Sequence, residues 1–385
     1  MEVGWLWPEA RHGAHPGRPA VDDESTGLSN PKSRWTGPPS RRTGAGQDRT
    51  AIGPCARLFP MESSAHLDLV PGALSADIVL HDAPIGEGSF PCWTVLTNGL
   101  LRHKQQEVAL TIVRDSDDIN DFPETVLGYL PALLEFAKQG RIVGEGGLSF
   151  YQAPGPFNLG SFTGIAYTAA GLVPDSIVPS GTLSGLFLTA EEANMAHRCS
   201  VFRVLSRLGQ AYRYFPWPYW SDPRRSSLYA PEDADQSILS KVNKLHAATA
   251  SATISGNEMR LVMPRSVATG TAERLAAGQA IAVLTGREPS VPAALVWGPG
   301  QSEATAITDD RMDGSRLAAW FALVVPSNER TDAIRFQEDG YCVLLTAETA
   351  AKLTEALRFS STVRMEPRGS ELSLTILISE GGASS

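Results

Sequence analysis

"CWTVLTNGLLRHKQQEVALTIVRD", residues 92–115, is the stretch on which the fold turns. Its first part is rich in β-branched and aromatic residues and stops at Asn98-Gly99, a dipeptide typical of turns. Its last part, "QEVALTIVRD", is a second strand-like run. Two such runs in succession predict an antiparallel pair, with the intervening "LLRHKQ" making a loop longer than a tight hairpin.

Working outward, "PETVLGYLPALLEFAKQG" (123–140) carries Val126, Leu127, Leu130, Leu133, Leu134 and Phe136 on a helical stripe. Asp121 suits its N-cap and Gly140 its C-cap, and Pro131 should kink the helix or split it. "GLSFYQ", "GIAYTA" and "GLFLTA" read as strands, and "EEANMAHRCSVFRVLSRLG" as one or two helices ending at Gly209.

The second half repeats the mixture. "PEDADQSILSKVNKL" reads as helix, "NEMRLVMP" as strand and "TAERLAAG" as helix, followed by strands in "AIAVLTG" and "PAALVWG". "RLAAWFALVVP" and "AIRFQEDGYCVLLT" add three strands, the last two turning at Asp339-Gly340. "TAETAAKLTEALRF" is a helix with Thr346 as N-cap, and "STVRMEP" with "SELSLTILI" form a closing hairpin. Strands outnumber helices and links are short. The fold class is therefore α+β, with mainly antiparallel sheets, flanking helices and two subdomains.

Residues 1–60 differ from this body. Gly and Pro make up roughly a quarter of them, without apolar periodicity, which is the composition of a disordered extension. Met61 is then an alternative start. Residues 61–228 and 229–379 form the two expected subdomains, and 380–385 a disordered tail. The extension carries eight Lys/Arg against six Asp/Glu, which leaves −11 for the rest of a chain whose total is −9. An acidic body argues against nucleic acid as a partner. No apolar run reaches the roughly 18–20 residues of a membrane span. The four cysteines, Cys55, Cys92, Cys199 and Cys342, are scattered and form no C-x-x-C pair, so a cytoplasmic chain with buried free thiols is expected.

Motifs of catalysis are missing from the sequence. The phosphate-loop pattern G-x-x-x-x-G-K-S/T does not occur, and "GEGGLS" (144–149) runs from helix to strand, which suits a turn. "GTLSG" places Ser184 one position too late for a nucleophile elbow. Glu191, Glu192, His197 and Cys199 are the nearest approach to a metal or nucleophile cluster, without a second ligand pair. No metal and no cofactor are expected, and a small-molecule substrate is not indicated.

The densest signal is "LGQAYRYFPWPYWSDPRR" (208–225), where six of the nine residues from Tyr212 to Trp220 are aromatic against 8% in the whole chain. On a strand Tyr212 and Tyr214 share one face with Arg213 opposite, and both are expected in the core. Pro216 and Pro218 stop regular pairing, which leaves Trp217, Tyr219 and Trp220 on a stiff extended segment suited to docking. Arg224 and Arg225 are either solvated or clamps on carboxylates.

These segments, in this order, resemble the C-terminal domain of the endosomal Smad anchor for receptor activation and endofin family. The matching positions are Trp93, Thr97, Gly99 and Leu100, then Leu205, Arg207, Leu208, Gly209, Tyr212, Tyr214 or Phe215, Pro216 and Pro218. The likeness covers about residues 90–245, and the "RLGQAYRYFPWP" part is its most specific portion. "FPCWTVLTNGL" together with "LSGLFLTAEE" is also similar to the suppressor-of-fused domain. Four scattered cysteines cannot supply the zinc finger of the endosomal family, so phosphoinositide binding does not carry over. The resemblance implies a mixed α and β fold without established catalytic residues, and the Ala-, Gly- and Arg-rich composition suits a stand-alone bacterial version.

The function expected is a non-catalytic protein-interaction domain, adaptor or immunity-like, with a protein or peptide partner. Trp217, Tyr219, Trp220, Arg224 and Arg225 are its candidate partner-binding residues. One alternative is a peptide-binding groove at 217–220. A second is an enzyme whose site gathers His197, Cys199, Glu191 and Arg207.

Overall fold

Two strands that this reading passed over, β1 (Ser64–Val70) and β2 (Leu74–Ile85), precede the opening pair. The computed structural model describes residues 64–85, 88–114, 122–150, 159–170, 173, 177–308 and 315–380, and these fall in one compact unit. The expectations for 1–60 and for the tail beyond 380 lie outside them. β3 (Gly88–Asn98) and β4 (Val108–Val113) pair antiparallel as read, with Cys92 opposite Val113 and Leu96 opposite Ala109. Their loop contains a 3-10 turn, Leu100–His103. Glu107 ties it down, accepting bonds from the amides of Gly99 (2.9 Å) and Leu101 (3.1 Å) and the hydroxyl of Thr97 (2.7 Å).

The stripe at 123–140 divides at Pro131, as anticipated. A 3-10 helix, Glu124–Tyr129, gives way to α1 (Leu130–Lys138), with the proline in the first turn where a missing amide costs no helical bond. β5 (Leu148–Phe150), β6 (Phe162–Ala169) and β7 (Leu183–Thr189) complete a seven-stranded sheet ordered β1-β2-β3-β4-β7-β6-β5. β7 runs into α2 (Ala190–Arg198), which a break at Cys199–Ser200 separates from α3 (Val201–Tyr212).

Residues 231–245, read as one helix, form a short α4 (Asp233–Gln236), a 3-10 turn and β8 (Asn243–His246). Ser237 makes the break, its hydroxyl accepting from the amide of Leu239 at 3.1 Å. Then follow β9 (Ser251–Ser255), β10 (Glu258–Pro264), α5 (Arg265–Ala276), β11 (Ile281–Leu284), β12 (Ala293–Val296) and β13 (Thr305–Thr308). "RLAAWFALVVP" is two strands rather than one. β14 (Arg316–Ala319) belongs to a second sheet and β15 (Phe321–Pro326) to a third, with Trp320 at the crossing. β16 (Ala333–Gln337), β17 (Gly340–Leu345), α6 (Ala347–Phe359), β18 (Thr362–Met365) and β19 (Ser373–Ser379) close the chain.

The second sheet is ordered β13-β12-β14-β9-β10-β19-β18 and the third β16-β17-β15-β11-β8. Pairing is mainly antiparallel, with parallel exceptions at β4–β7, β8–β11, β10–β19, β12–β14 and β15–β17. The α+β class is thus realised as three mixed sheets with flanking helices. The first sheet draws only on the 61–228 segment and the other two only on 229–379. Between them runs a shared core in which Phe202, Leu205 and Trp217 meet Trp320, Phe321 and Leu323. A second core lies among the second and third sheets, α5 and α6, through Leu261, Val283, Val343, Leu353 and Ile376.

Candidate functional site

The aromatic segment is built into the molecule from the end of α3. Tyr212 is the last residue of that helix, and Arg213 caps it in the left-handed conformation (φ 52°). This corrects the strand expected at 212–214. The chain doubles back so tightly that a Cβ on Gly209 would collide with the carbonyl of Pro216, and the amide of Tyr214 returns to the Gly209 carbonyl at 2.9 Å. The "RLG" part of the signature is therefore a packing requirement.

Tyr212 and Tyr214 pack against the core as expected, but the residues after the prolines lie deeper still. Tyr212, Tyr214 and Phe215 are half-buried, whereas Trp217, Tyr219 and Trp220 are 0%, 1% and 2% exposed. Trp217 joins Phe202 (centroids 5.8 Å apart) and Trp320 (6.1 Å) in the shared core. Trp220 meets Tyr214, Tyr219 and Phe90 edge-on, at 4.7, 5.0 and 5.1 Å. The prolines end regular pairing, yet the rings turn inward, because each buries a large apolar area. The expected groove of Trp217, Tyr219 and Trp220 is thus not an open one.

Ser221 explains why the segment lies where it does. β4 and β7 pair only over Val108–Leu110 and then splay, and Ser221 fills the gap. Its amide bonds the carbonyl of Thr111, its carbonyl takes the amide of Val113, and its hydroxyl takes the amide of Phe187, each at 2.9 Å.

The two arginines that follow divide. Arg224 is exposed and pairs with Asp222 at 3.0 Å. Arg225 is a carboxylate clamp: both terminal nitrogens donate to the fully buried Glu192, one of them also to the Phe187 carbonyl at 2.9 Å, and the guanidinium lies 4.9 Å over the Phe162 ring. Glu192 further accepts from the amides of Thr189 (3.0 Å) and Leu228 (3.1 Å), completing a capping box at the start of α2. The T-x-x-E spacing "TAEE" carried that signal in the sequence.

A larger polar assembly was not foreseen. Arg203 of α3 is fully buried and donates to both carboxylate oxygens of Asp339, to Glu338 (2.8 Å) and to the hydroxyl of Ser237. Its guanidinium lies 4.9 Å over Trp297 and 5.7 Å over Phe321. Glu338 also accepts from Ser237 and from the amide of Ile238, both at 2.8 Å. Burial opposes the charge on Arg203, but the adjacent Asp339 outweighs it and holds the guanidinium protonated. For Asp339 burial prevails and raises its carboxyl above the usual range. The Asp339-Gly340 turn was legible as a hairpin, but its carboxylate's partner, 136 positions away, was not.

The candidate enzyme residues do not assemble. His197 is exposed, 5.5 Å from the Phe150 ring, whereas Cys199 is buried with its sulfur 4.0 Å from the Ala234 carbonyl. Burial pushes the Cys199 thiol up, away from the thiolate that nucleophilic attack needs. Arg207 bonds Gln210 at 2.6 Å and occupies the space left by Gly298. Glu191 is half-buried on α2. Among the described residues no group of three His, Cys, Asp or Glu side chains is placed to hold a metal, and no helix is long and apolar enough to cross a membrane. The Gly-rich 144–149 stretch is a turn, with Gly146 at φ 76° donating to the Tyr167 carbonyl at 2.8 Å. Beside it lies a cavity of about 290 Å³ lined by Gln106, Glu145, Val178, Ser180 and Thr182, where burial raises the Glu145 carboxyl.

No family model and no curated protein matches the chain. Among solved structures it is similar to the crystal structure of Drosophila Suppressor of Fused, with 12% identity and a TM-score of 0.32 over 78% of this chain and 88% of that one. It is also similar to the crystal structure of the Sufu–Fu complex, with 13% identity and a TM-score of 0.30 over 39% of this chain and 76% of that one. The structural similarity to Suppressor of Fused is weak.

Proposed function

We propose that this chain is a non-catalytic protein-interaction module, adaptor or immunity-like in kind. One observation carries the reading: the reactive side chains that the fold gathers are sealed inside it and spent on one another. Arg203 with Asp339, Glu338 and Ser237, and Glu192 with Arg225, use their hydrogen-bonding capacity to join helices to sheets, and Cys199 is a buried neutral thiol. Among the described residues, one solvent-facing surface is the outer side of β10, β19 and β18, where Arg260 and Arg364 are exposed. The resemblance of residues 205–218 to the endosomal domain family supports the same class of role. A stand-alone bacterial version of that domain remains part of the proposal.

The test is site-specific photocrosslinking in source cells. A benzophenone side chain is placed in turn at Thr375 on the outer sheet face and at the exposed Ile142 and Phe359. A discrete adduct to one protein at any of them, identified by mass spectrometry, is the expected result. Absence of a discrete adduct at all three would overturn the reading.

A further inference from the structure

The outer face of the second sheet carries a pattern of its own. Cross-strand pairing sets Ala318, Thr253, Arg260, Thr375 and Arg364 in one row, and Arg316, Ser255, Glu258 and Ser373 in the next. Directly paired residues share a face. The opposite face holds Met259, Leu261, Leu374 and Ile376 in the second core, so both rows point away from it.

That outer face is only half covered. At the β12–β14 end Ala294, Ile307 and Ala318 belong to the shared core. Over β10, β19 and β18 it is open, with Arg260 and Arg364 exposed and Val262 and Leu377 half-buried beside them. Arginines stand on alternate strands, Arg316 on β14, Arg260 on β10 and Arg364 on β18. The strands between them, β9 and β19, offer Ser255, Thr253, Ser373 and Thr375. Strands lie about 4.8 Å apart, so Arg260 and Arg364, in one row, are roughly 10 Å apart, and Arg316, one row on, is roughly 12 Å from Arg260. Glu258 stands on the same face, 3.8 Å from Arg260. Arg316 and Arg364 enter no ion pair among the described residues.

A row of three exposed guanidinium groups, one of them beside Glu258, is locally opposite in sign to an acidic body, and each fork matches a carboxylate in two-point geometry. A polynucleotide, charged at every unit, would extend past the stripe over the acidic remainder. A short protein segment with a carboxylate at every third residue of an extended, polyproline-like chain repeats at about 9 Å, close to the arginine spacing. Its intervening residues would rest on Val262 and Leu377. We propose that this outer face, from Arg316 on β14 across β10 and β19 to Arg364 on β18, docks an extended acidic segment of a partner protein, its carboxylates taken by Arg316, Arg260 and Arg364. This rests on the reading of the chain as an interaction module and names the surface and the partner chemistry.

The test uses the full chain and fluorescence anisotropy. The probe is a fluorescein-labelled peptide of four Glu-Ser-Pro repeats, with the Gln-Ser-Pro peptide and a 12-nucleotide single-stranded DNA as comparators. The acidic peptide is expected to bind, weakening about tenfold between 50 and 200 mM salt. R260S/R364S should lower its affinity at least about tenfold, while R330S, an exposed arginine elsewhere, leaves it unchanged. Equal urea midpoints for all forms show that the variants are folded. Equal binding by wild type and R260S/R364S, no binding of the acidic peptide, or tighter binding of the DNA would each overturn the inference. The crosslinking result separates the two levels. Adducts at Ile142 or Phe359 without one at Thr375 leave the interaction module standing and remove this surface. No adduct at any position removes both.

Discussion

Arg203 and Asp339 form a two-point ion pair with neither side chain exposed, joining α3 to the β16–β17 turn across 136 residues of sequence. Removing one member leaves a buried charge without its partner, which costs about 3–5 kcal/mol. R203M should therefore lower unfolding stability by that amount in urea titration. Adding D339N should restore part of it, because the pair's net contribution is far smaller than the cost of half of it. Equal losses that simply add would show that the two residues do not act together.

Glu192 joins the start of α2 to the 225–228 segment through Arg225 and two backbone amides. E192Q preserves shape but removes the charge that Arg225 faces, and should cost about 2–4 kcal/mol. R224Q, at an exposed pair, should change stability by less than about 1 kcal/mol. Thermal or urea unfolding of the two variants side by side checks the contrast between the buried and the exposed ion pair.

Trp217 fills the shared core against Phe202 and Trp320. W217A should cost about 3–5 kcal/mol and lower near-ultraviolet circular dichroism. F359S, whose ring is 80% exposed at the end of α6, should leave stability within about 0.5 kcal/mol of wild type. A W217A chain as stable as wild type would return the ring to the surface as a docking group.

Asp332 braces the Thr346 cap of α6, accepting from the amide of Thr346 and the hydroxyl of Thr349, both at 2.6 Å. Burial works against its charge, but these bonds outweigh it and hold the carboxyl below its ordinary value. Because the folded pKa lies below the unfolded one, this contribution is complete above about pH 4 and lost as pH falls through the folded value. D332N should cost about 1 kcal/mol at pH 7. Its melting temperature should converge on that of wild type as pH falls below the ordinary carboxylate range. A gap that persists there would assign the effect to something other than ionisation.

Cys92, Cys199 and Cys342 are all buried, and burial pushes the Cys92 thiol up to about 12. With Cys55, outside the described residues, replaced by serine, a native chain at pH 8 should resist Ellman's reagent and release three thiols only on unfolding. Rapid native labelling of Cys199 would revive the nucleophile reading.

Much of the element order is visible along the chain because its signals are local. Asn98-Gly99 and Asp339-Gly340 mark turns, Pro131 divides a helix, and Thr346 starts one by its own side chain. The misreadings share a cause. "RLAAWFALVVP" is uniformly apolar, and nothing in that run says that Trp320 sends its halves into different sheets. Tyr212 reads as strand by alternation, yet the collision avoided at Gly209 comes from Pro216, seven residues on, and makes it a helix end.

The sequence alone determined an α+β chain of many short strands and a Gly–Pro–aromatic signature at 208–220, because periodicity, turn residues and caps act over a few residues. Only the tertiary structure decided that Trp217 and Trp220 face inward, that Arg203 meets Asp339, and that Arg316, Arg260 and Arg364 stand on alternate strands of one face. Each of these depends on which strand lies beside which and in what register. A shift of one residue in pairing would turn every side chain of that strand to the other face.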